Sequence, residues 1–488
     1  MNAGSSGNLS PTRICAAIAA AYVLSIAPAQ AGTITGPGSS ATVTAASPVE
    51  DWTVLDGASL KVNGGGVFQT ILDGHASMTM TGGSASASTL RFYAAVELHD
   101  GSTATISDSQ LANTGEGRGF SLQGTGSVSG GSAPPTATLI RTTVSGGVDG
   151  TLVSGGGVLT LDQGSRSDGT LSTSSGVRLS NGFLNILGGS IAHGQQNGVI
   201  VADDSRGIRD LGRLVTMDGS TASSATGSAI RVESVGRLTV ASIDLRNGAQ
   251  LVGGNGVAIE SRANTDVTVG VEGSHIMGDM LAVDGGVLDI NLNDASAGVT
   301  GRMIGVNALT QVAGSTWNVT GDSDMRAYTL NGGTLAFQPR ADGTHSVATA
   351  HGDLAGSGGT LAFSTVMNEG GALASQATDR LLIEGNVTTT GPVEIVVTPA
   401  GAGAVTDHNT NGVVEAGEGI SLVQVAGTSR ADAFTLRGGY VAAGPWQYTL
   451  HAFGPGEADQ AQNALAAGSL NWDYRLGNRY VCQTDCDP

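Results

Sequence analysis

The tightest constraint on this chain is a local pattern that recurs along it: an apolar-polar-apolar triplet held between clusters of Gly, Ser, Asn and Asp. It is seen at Leu159-Thr160-Leu161, Leu184-Asn185-Ile186, Leu238-Thr239-Val240, Val267-Thr268-Val269 and Leu288-Asp289-Ile290. Trp317-Asn318-Val319, Leu335-Ala336-Phe337 and Leu361-Ala362-Phe363 continue the series. Between most neighbours the spacing is about 18 to 30 residues, that of imperfect solenoid coils. Alternation puts two apolar residues on one face of an extended segment and the polar one on the other. A three-residue strand cannot bury that face alone. Like neighbours stacked above and below it complete both the core and the backbone hydrogen bonds, which predicts short parallel strands.

Corners at Asp218-Gly219, Asn247-Gly248, Asn255-Gly256 and Asn331-Gly332-Gly333 supply the positive φ that tight turns need. An antiparallel sandwich fits less well, because turn signals do not fall at hairpin spacing and no interior Cys or Trp framework is present. At about 20 residues per coil and 4.8 Å per stacked strand, the chain would build a rod on the order of 90–100 Å long.

Composition agrees with a thin core. Gly accounts for 77 of 488 residues, aromatics for 4% and charged residues for 13%, too few large side chains for one broad core. Hydrophobic residues at 40% exceed what a disordered chain carries, and the Gly lacks the three-residue period of collagen. Net charge is −19 and Lys61 is the sole lysine, which disfavours nucleic acid and anionic lipid as partners.

Arg13, the apolar run from Ile14 to Ile26, and Ala29-Gln30-Ala31 read as a secretory signal peptide over residues 1–31. Cleavage after Ala31 removes Cys15. Cys482 and Cys486 remain, spaced to close a small terminal loop, while the core has no disulfide to rely on. No later stretch is long and apolar enough to cross a membrane as a helix. Twelve of the nineteen aromatic residues follow residue 310, so the C-terminal part should have the best-packed core.

From residue 310 the sequence resembles the C-terminal, autochaperone region of pertactin-like autotransporter passengers. The matching elements run in order: Ser315-Thr316-Trp317-Asn318-Val319, Tyr328 to Phe337, Leu354 to Leu361, Asp379 to Gly385 and Ser421 to Val425. Ala433-Phe434, Gly444 to Leu450 and Asn471 to Leu476 close the series. The resemblance implies an all-β, right-handed parallel β-helix, with a passenger over 32–309, an autochaperone region over 310–476 and the start of a linker at 477–488. It further implies export through the periplasm and outer membrane behind a C-terminal translocator barrel, the expected partner, which this sequence does not include. Trp317, Phe337, Phe363, Phe434, Trp446, Tyr448 and Trp472 are then the expected folding nucleus, since a solenoid can nucleate locally and propagate by stacking.

Three motifs resemble chemical sites. Asp203-Asp204 could serve as the paired carboxylates of an inverting glycosidase, but the Gly-His-Gly and Arg-x-Lys of β-helical pectin hydrolases are missing. Gly321-Asp322-Ser323-Asp324 has Asp where a serine-protease motif needs Gly, and reads as a turn. Residues 407–418 satisfy the calcium-loop pattern, with Asp407, Asn409, Asn411 and Glu418 at positions 1, 3, 5 and 12 and Gly412 at the bend. A plain Asn-Gly loop between two strands accounts for the same residues. The expected function is a non-enzymatic surface passenger, an adhesin or other virulence-associated protein meeting host or bacterial cell surfaces. It requires no cofactor, with Ca²⁺ the one candidate. A β-helical polysaccharide-degrading enzyme is the alternative.

Overall fold

The computed structural model describes residues 32–90, 93–125, 133–203 and 212–480. The signal peptide, Asp204 and the Cys482–Cys486 pair lie outside these residues. Within them the chain winds as a parallel β-helix. Twelve strands, from Gly32–Thr35 to Met303–Ile304, stack into one sheet, here sheet I. Eight strands from Gly66–Val67 to Gln250–Val252 form sheet III. The strands that follow sheet I in each coil, from Ser40–Thr44 onward, form sheet II.

Every coil places its apolar pair over that of the coil before. Leu159, Leu184, Val215, Ile243, Val269, Ile290 and Leu309 are successive partners in sheet II. All of them are buried in one cluster that runs from Val43 to Leu476. A one-residue slip would turn every one of these side chains to solvent, so register is strongly specified. That rule overturns one expected triplet. Leu238 and Val240 are 53% and 48% exposed, while Thr239 between them is fully buried. The strand Thr239–Arg246 is held instead by Ile243 and Leu245, which stack on Val215 and Met217 below and on Val269 and Val271 above. Two stacked pairs outweigh one local triplet.

The corner between sheets II and III repeats a two-part device. One residue takes positive φ: Gly at Gly188 and Gly219, but Asp108, Arg141, Gln163 and Asn247 at φ of 51°, 48°, 50° and 51°. A buried hydroxyl follows closely and bonds across coils. Ser165 Oγ donates to the Leu139 carbonyl at 2.8 Å and accepts from the Thr142 N–H at 3.1 Å. Ser190 Oγ accepts from the Ser165 N–H at 3.1 Å, and Ser220 Oγ donates to the Ile186 carbonyl at 2.6 Å. These side chains satisfy backbone groups that a turn would otherwise bury unpaired.

Past residue 300, sheets II and III merge into long bent strands, Ser323–Phe337 and Leu354–Val366, each spanning two faces of its coil. The stack then ends in a change of direction. The strand Trp472–Tyr480 runs antiparallel to Ile420–Val425 on one side and to Trp446–Phe453 on the other. Its last four residues, 477–480, are therefore strand and not the expected start of a linker.

Candidate functional site

The C-terminal cap is where the sequence concentrates large side chains. Trp317 and Tyr328, both fully buried, meet edge to face with ring centroids 6.5 Å apart. The Trp317 indole N–H donates to the Gly301 carbonyl at 3.0 Å, and the Tyr328 hydroxyl to Gln311 Oε1 at 2.6 Å. Burial holds the Tyr328 phenol far above its ordinary value, so it stays a donor. One step along the axis Phe337 and Phe363 stack at 5.4 Å. At the end of the rod Phe434 meets Tyr474 at 4.6 Å, and Trp472 stacks on Tyr474 at 6.1 Å. Tyr448 is buried, with its oxygen accepting the Ala404 N–H at 2.8 Å. Trp446 and Trp472 are half-buried against the same core. All seven expected nucleus residues thus lie in or against one core, Trp446 and Tyr448 from the closing hairpin.

A polar centre in the cap was not anticipated. Asp473 and Arg475, both fully buried, form an ion pair at 2.8 Å. Asp473 also accepts from Ser421 Oγ at 2.6 Å, while Arg475 donates to the carbonyls of Glu418 at 2.7 Å and Gly419 at 3.0 Å. Gln424 reaches from the same strand to the Gln462 carbonyl at 2.7 Å, tying in the segment 454–471. That segment carries its own small core of Ala458, Leu465 and Leu470 against Leu382. In the sequence Asp473 and Arg475 simply alternate with Trp472, Tyr474 and Leu476. Only the antiparallel strand across sheet II places them inside.

The loop 407–418 closes on its two end carboxylates. Asp407 Oδ2 accepts from the Gly412 N–H at 2.7 Å, and Oδ1 from the Asn411 N–H at 3.2 Å. Glu418 accepts from the N–H groups of His408 at 2.8 Å and Glu415 at 3.0 Å. The amides of Asn409 and Asn411 both donate to Glu415. Thr410 sits at φ 58° and Gly412 at φ 79°, and Val414 anchors the loop in the core at 5% exposure. Among the described residues no three His, Cys, Asp or Glu side chains converge as a metal centre, so the two Asn carbonyls would have to complete any ligand set.

The remaining motifs are structural in place. Asp203 is buried and accepts from the N–H groups of Val235, at 2.5 Å, and Arg237, at 3.2 Å. Ser323 is buried, and its hydroxyl donates to the Gly321 carbonyl at 2.9 Å, as a turn residue does.

Comparison with known proteins bears on the cap first. Residues 323–450 match the family model described as Autochaperone Domain Type 1. The chain is similar to the autotransporter adhesin/invasin TibA of Escherichia coli O78:H11, 26% identical over 61% of this chain and 28% of that protein. It is also similar to the BrkA autotransporter of Bordetella pertussis, 26% identical over 86% of this chain and 38% of that protein. This chain therefore spans little more than a third of either relative at most. The crystal structure of the Haemophilus influenzae Hap adhesin overlaps 92% of this chain and 59% of its own at 12% identity and a TM-score of 0.30, too loose a superposition to add to the argument.

Proposed function

We propose that this chain, an autotransporter passenger region ending in an autochaperone domain, is a non-enzymatic adhesive rod whose C-terminal cap nucleates its folding during export. The observation that carries the reading is the unequal core. The N-terminal coils stack mainly aliphatic side chains, as at Leu60, Met78 and Ile106, with Phe120 a lone fully buried ring among their described residues, while the cap holds the aromatic pairs and the Asp473–Arg475 pair. Nearest-neighbour stacking lets such a solenoid grow from its most stable end. A translocator barrel is the partner this implies, with the cap crossing the outer membrane ahead of the other coils. The similarity to TibA, an adhesin/invasin, supports the adhesive role. The engagement of Asp203 with backbone N–H groups weighs against glycosidic chemistry there. Beads coated with the mature chain should adhere to cultured epithelial cells above albumin-coated beads. Adherence no higher than albumin would overturn the adhesive reading, and release of reducing ends from pectin would overturn the non-enzymatic one.

A second reading concerns the loop 407–418. We infer that it holds Ca²⁺ through Asp407, Asn409, Asn411 and Glu418, because the Gly412 N–H turns back onto the Asp407 carboxylate and oxygen donors then occupy positions 1, 3, 5 and 12. Millimolar CaCl₂ should raise the melting temperature of the cap, and Asp407→Ala should abolish the rise. A melting curve identical in CaCl₂ and in chelator would end this reading.

A further inference from the structure

The first coil is the one layer of sheets I and II with nothing stacked before it among the described residues. Gly32–Thr35 pairs with Trp52–Leu55 and Ser40–Thr44 with Ser59–Asn63, each on one side alone. The core is correspondingly open there. Ile34 and Ala41 are half-buried against it, whereas the residues stacked behind them are fully covered: Val54 and Leu72 behind Ile34, Leu60 and Met78 behind Ala41.

The backbone is open as well. The Ser59 N–H donates to the Ser39 carbonyl at 2.9 Å. Polar groups of successive residues point to opposite sides of a strand, so those of Ser40, Thr42 and Thr44 point outward, past the end of the stack. Ser47 Oγ accepts the Thr44 N–H at 3.0 Å, which leaves the edge centred on Thr42. Such an edge is a template for a further strand, and proteins usually blunt it with charges or proline. Neither strand carries one, and no charged side chain occurs in residues 32–49 of a chain whose net charge is −19.

We propose that this edge docks on the same edge of a second copy, Ser40–Thr44 against Ser40–Thr44 in antiparallel register about Thr42. Three observations select this occupant. A two-fold axis through Thr42, normal to sheet II, sets Ala41 opposite the copy's Val43, so core-facing side chains stay over core-facing side chains. It also sets the Thr42 N–H against the copy's Thr42 carbonyl. The coil without charged side chains brings no like charges into contact, although every copy carries the same net charge. The far end of the rod closes on the antiparallel strand Trp472–Tyr480, so head-to-tail addition finds no edge there and association stops at a pair. An interface one coil wide is small, and the dimer is a weak one that gains strength where many rods are displayed together. It does not depend on the adhesive reading.

Sedimentation velocity of the mature chain over rising concentration is the test, with circular dichroism to show that each variant is folded. A monomer–dimer equilibrium with no larger species is expected. Because Thr42 meets itself at the axis, Thr42→Lys alone and Thr42→Glu alone should each weaken dimerisation about tenfold or more. Mixing the two variants should restore it, which a folding defect could not do. Thr79→Lys, on the same outer column two coils in and likewise next to Lys61, should leave it unchanged. A monomer at every concentration would leave the edge to a segment of another chain and overturn the proposal. A dimer that survives both Thr42 variants docks by another face and would overturn it too, as would a Lys–Glu mixture that stays monomeric.

Discussion

Arg475 donates to Asp473 across 2.8 Å with neither side chain exposed, and both belong to the antiparallel strand that ends the rod. A buried pair of this kind is held less by its own attraction than by the carbonyls and hydroxyl around it. It fixes which residues of Trp472–Tyr480 face inward, because a slip of one residue would put a charge against the aromatic core.

Arg475→Met should therefore destabilise the cap by about 3–5 kcal/mol, since it strands the Asp473 carboxylate. Replacing both residues by Met should recover much of the loss. Urea unfolding followed by tryptophan fluorescence reads the effect directly, because Trp317, Trp446 and Trp472 all lie in the cap. A double variant as unstable as the single one would show that the pair matters for more than its charges.

Trp317→Ala should cost about 3–5 kcal/mol as a large core truncation. Tyr328→Phe should cost about 1–3 kcal/mol by leaving Gln311 Oε1 without a donor. If the cap forms first, both should slow refolding. Leu60→Ala, in an N-terminal coil, should mainly speed unfolding. Stopped-flow refolding that slows equally in all three variants would argue against a cap-first order.

His99 should give the rod a weak pH dependence. The neighbouring Glu97 carboxylate raises its pKa above the ordinary 6.5, with burial opposing and Asp73 and Asp100 assisting. A base with a raised folded pKa stabilises fully below its unfolded value, and the contribution is lost as pH climbs through the folded value. Melting temperature should thus fall as pH rises from 6 through the raised value, and His99→Gln should flatten that part of the profile. An unchanged slope in the variant would remove His99 as its source.

Ser165→Ala should cost about 1–3 kcal/mol, because the Thr142 N–H and the Leu139 carbonyl would each lose a partner inside the corner. Hydrogen exchange at Thr142 should accelerate more than at residues two coils away.

What the sequence makes legible is whatever repeats. Seven of the eight triplets face the core because their alternation and their stacking agree, and the eighth fails because Ile243 and Leu245 had stronger partners in the adjoining coils. The aromatic cap was legible from the placement of its rings. The buried Asp473–Arg475 pair was not, since nothing in the run from Trp472 to Leu476 marks which of its faces the antiparallel strand turns inward. Asp203 shows the converse. Its acidic neighbour made it look chemical, but the turn from Ser234 to Arg237 takes up both oxygens.

The reversed strand Trp472–Tyr480 has a consequence for assembly. A stack of parallel strands is a polymer with two reactive ends, each able to template another layer. Here one end is terminated by an antiparallel hairpin, while Gly32–Thr35 and Ser40–Thr44 at the other have partners on one side alone among the described residues. Layers can then add in one direction only. A chain threaded outward cap first would elongate at its inner end, and each coil captured would oppose backsliding, a ratchet that draws on no source of energy but the stacking itself.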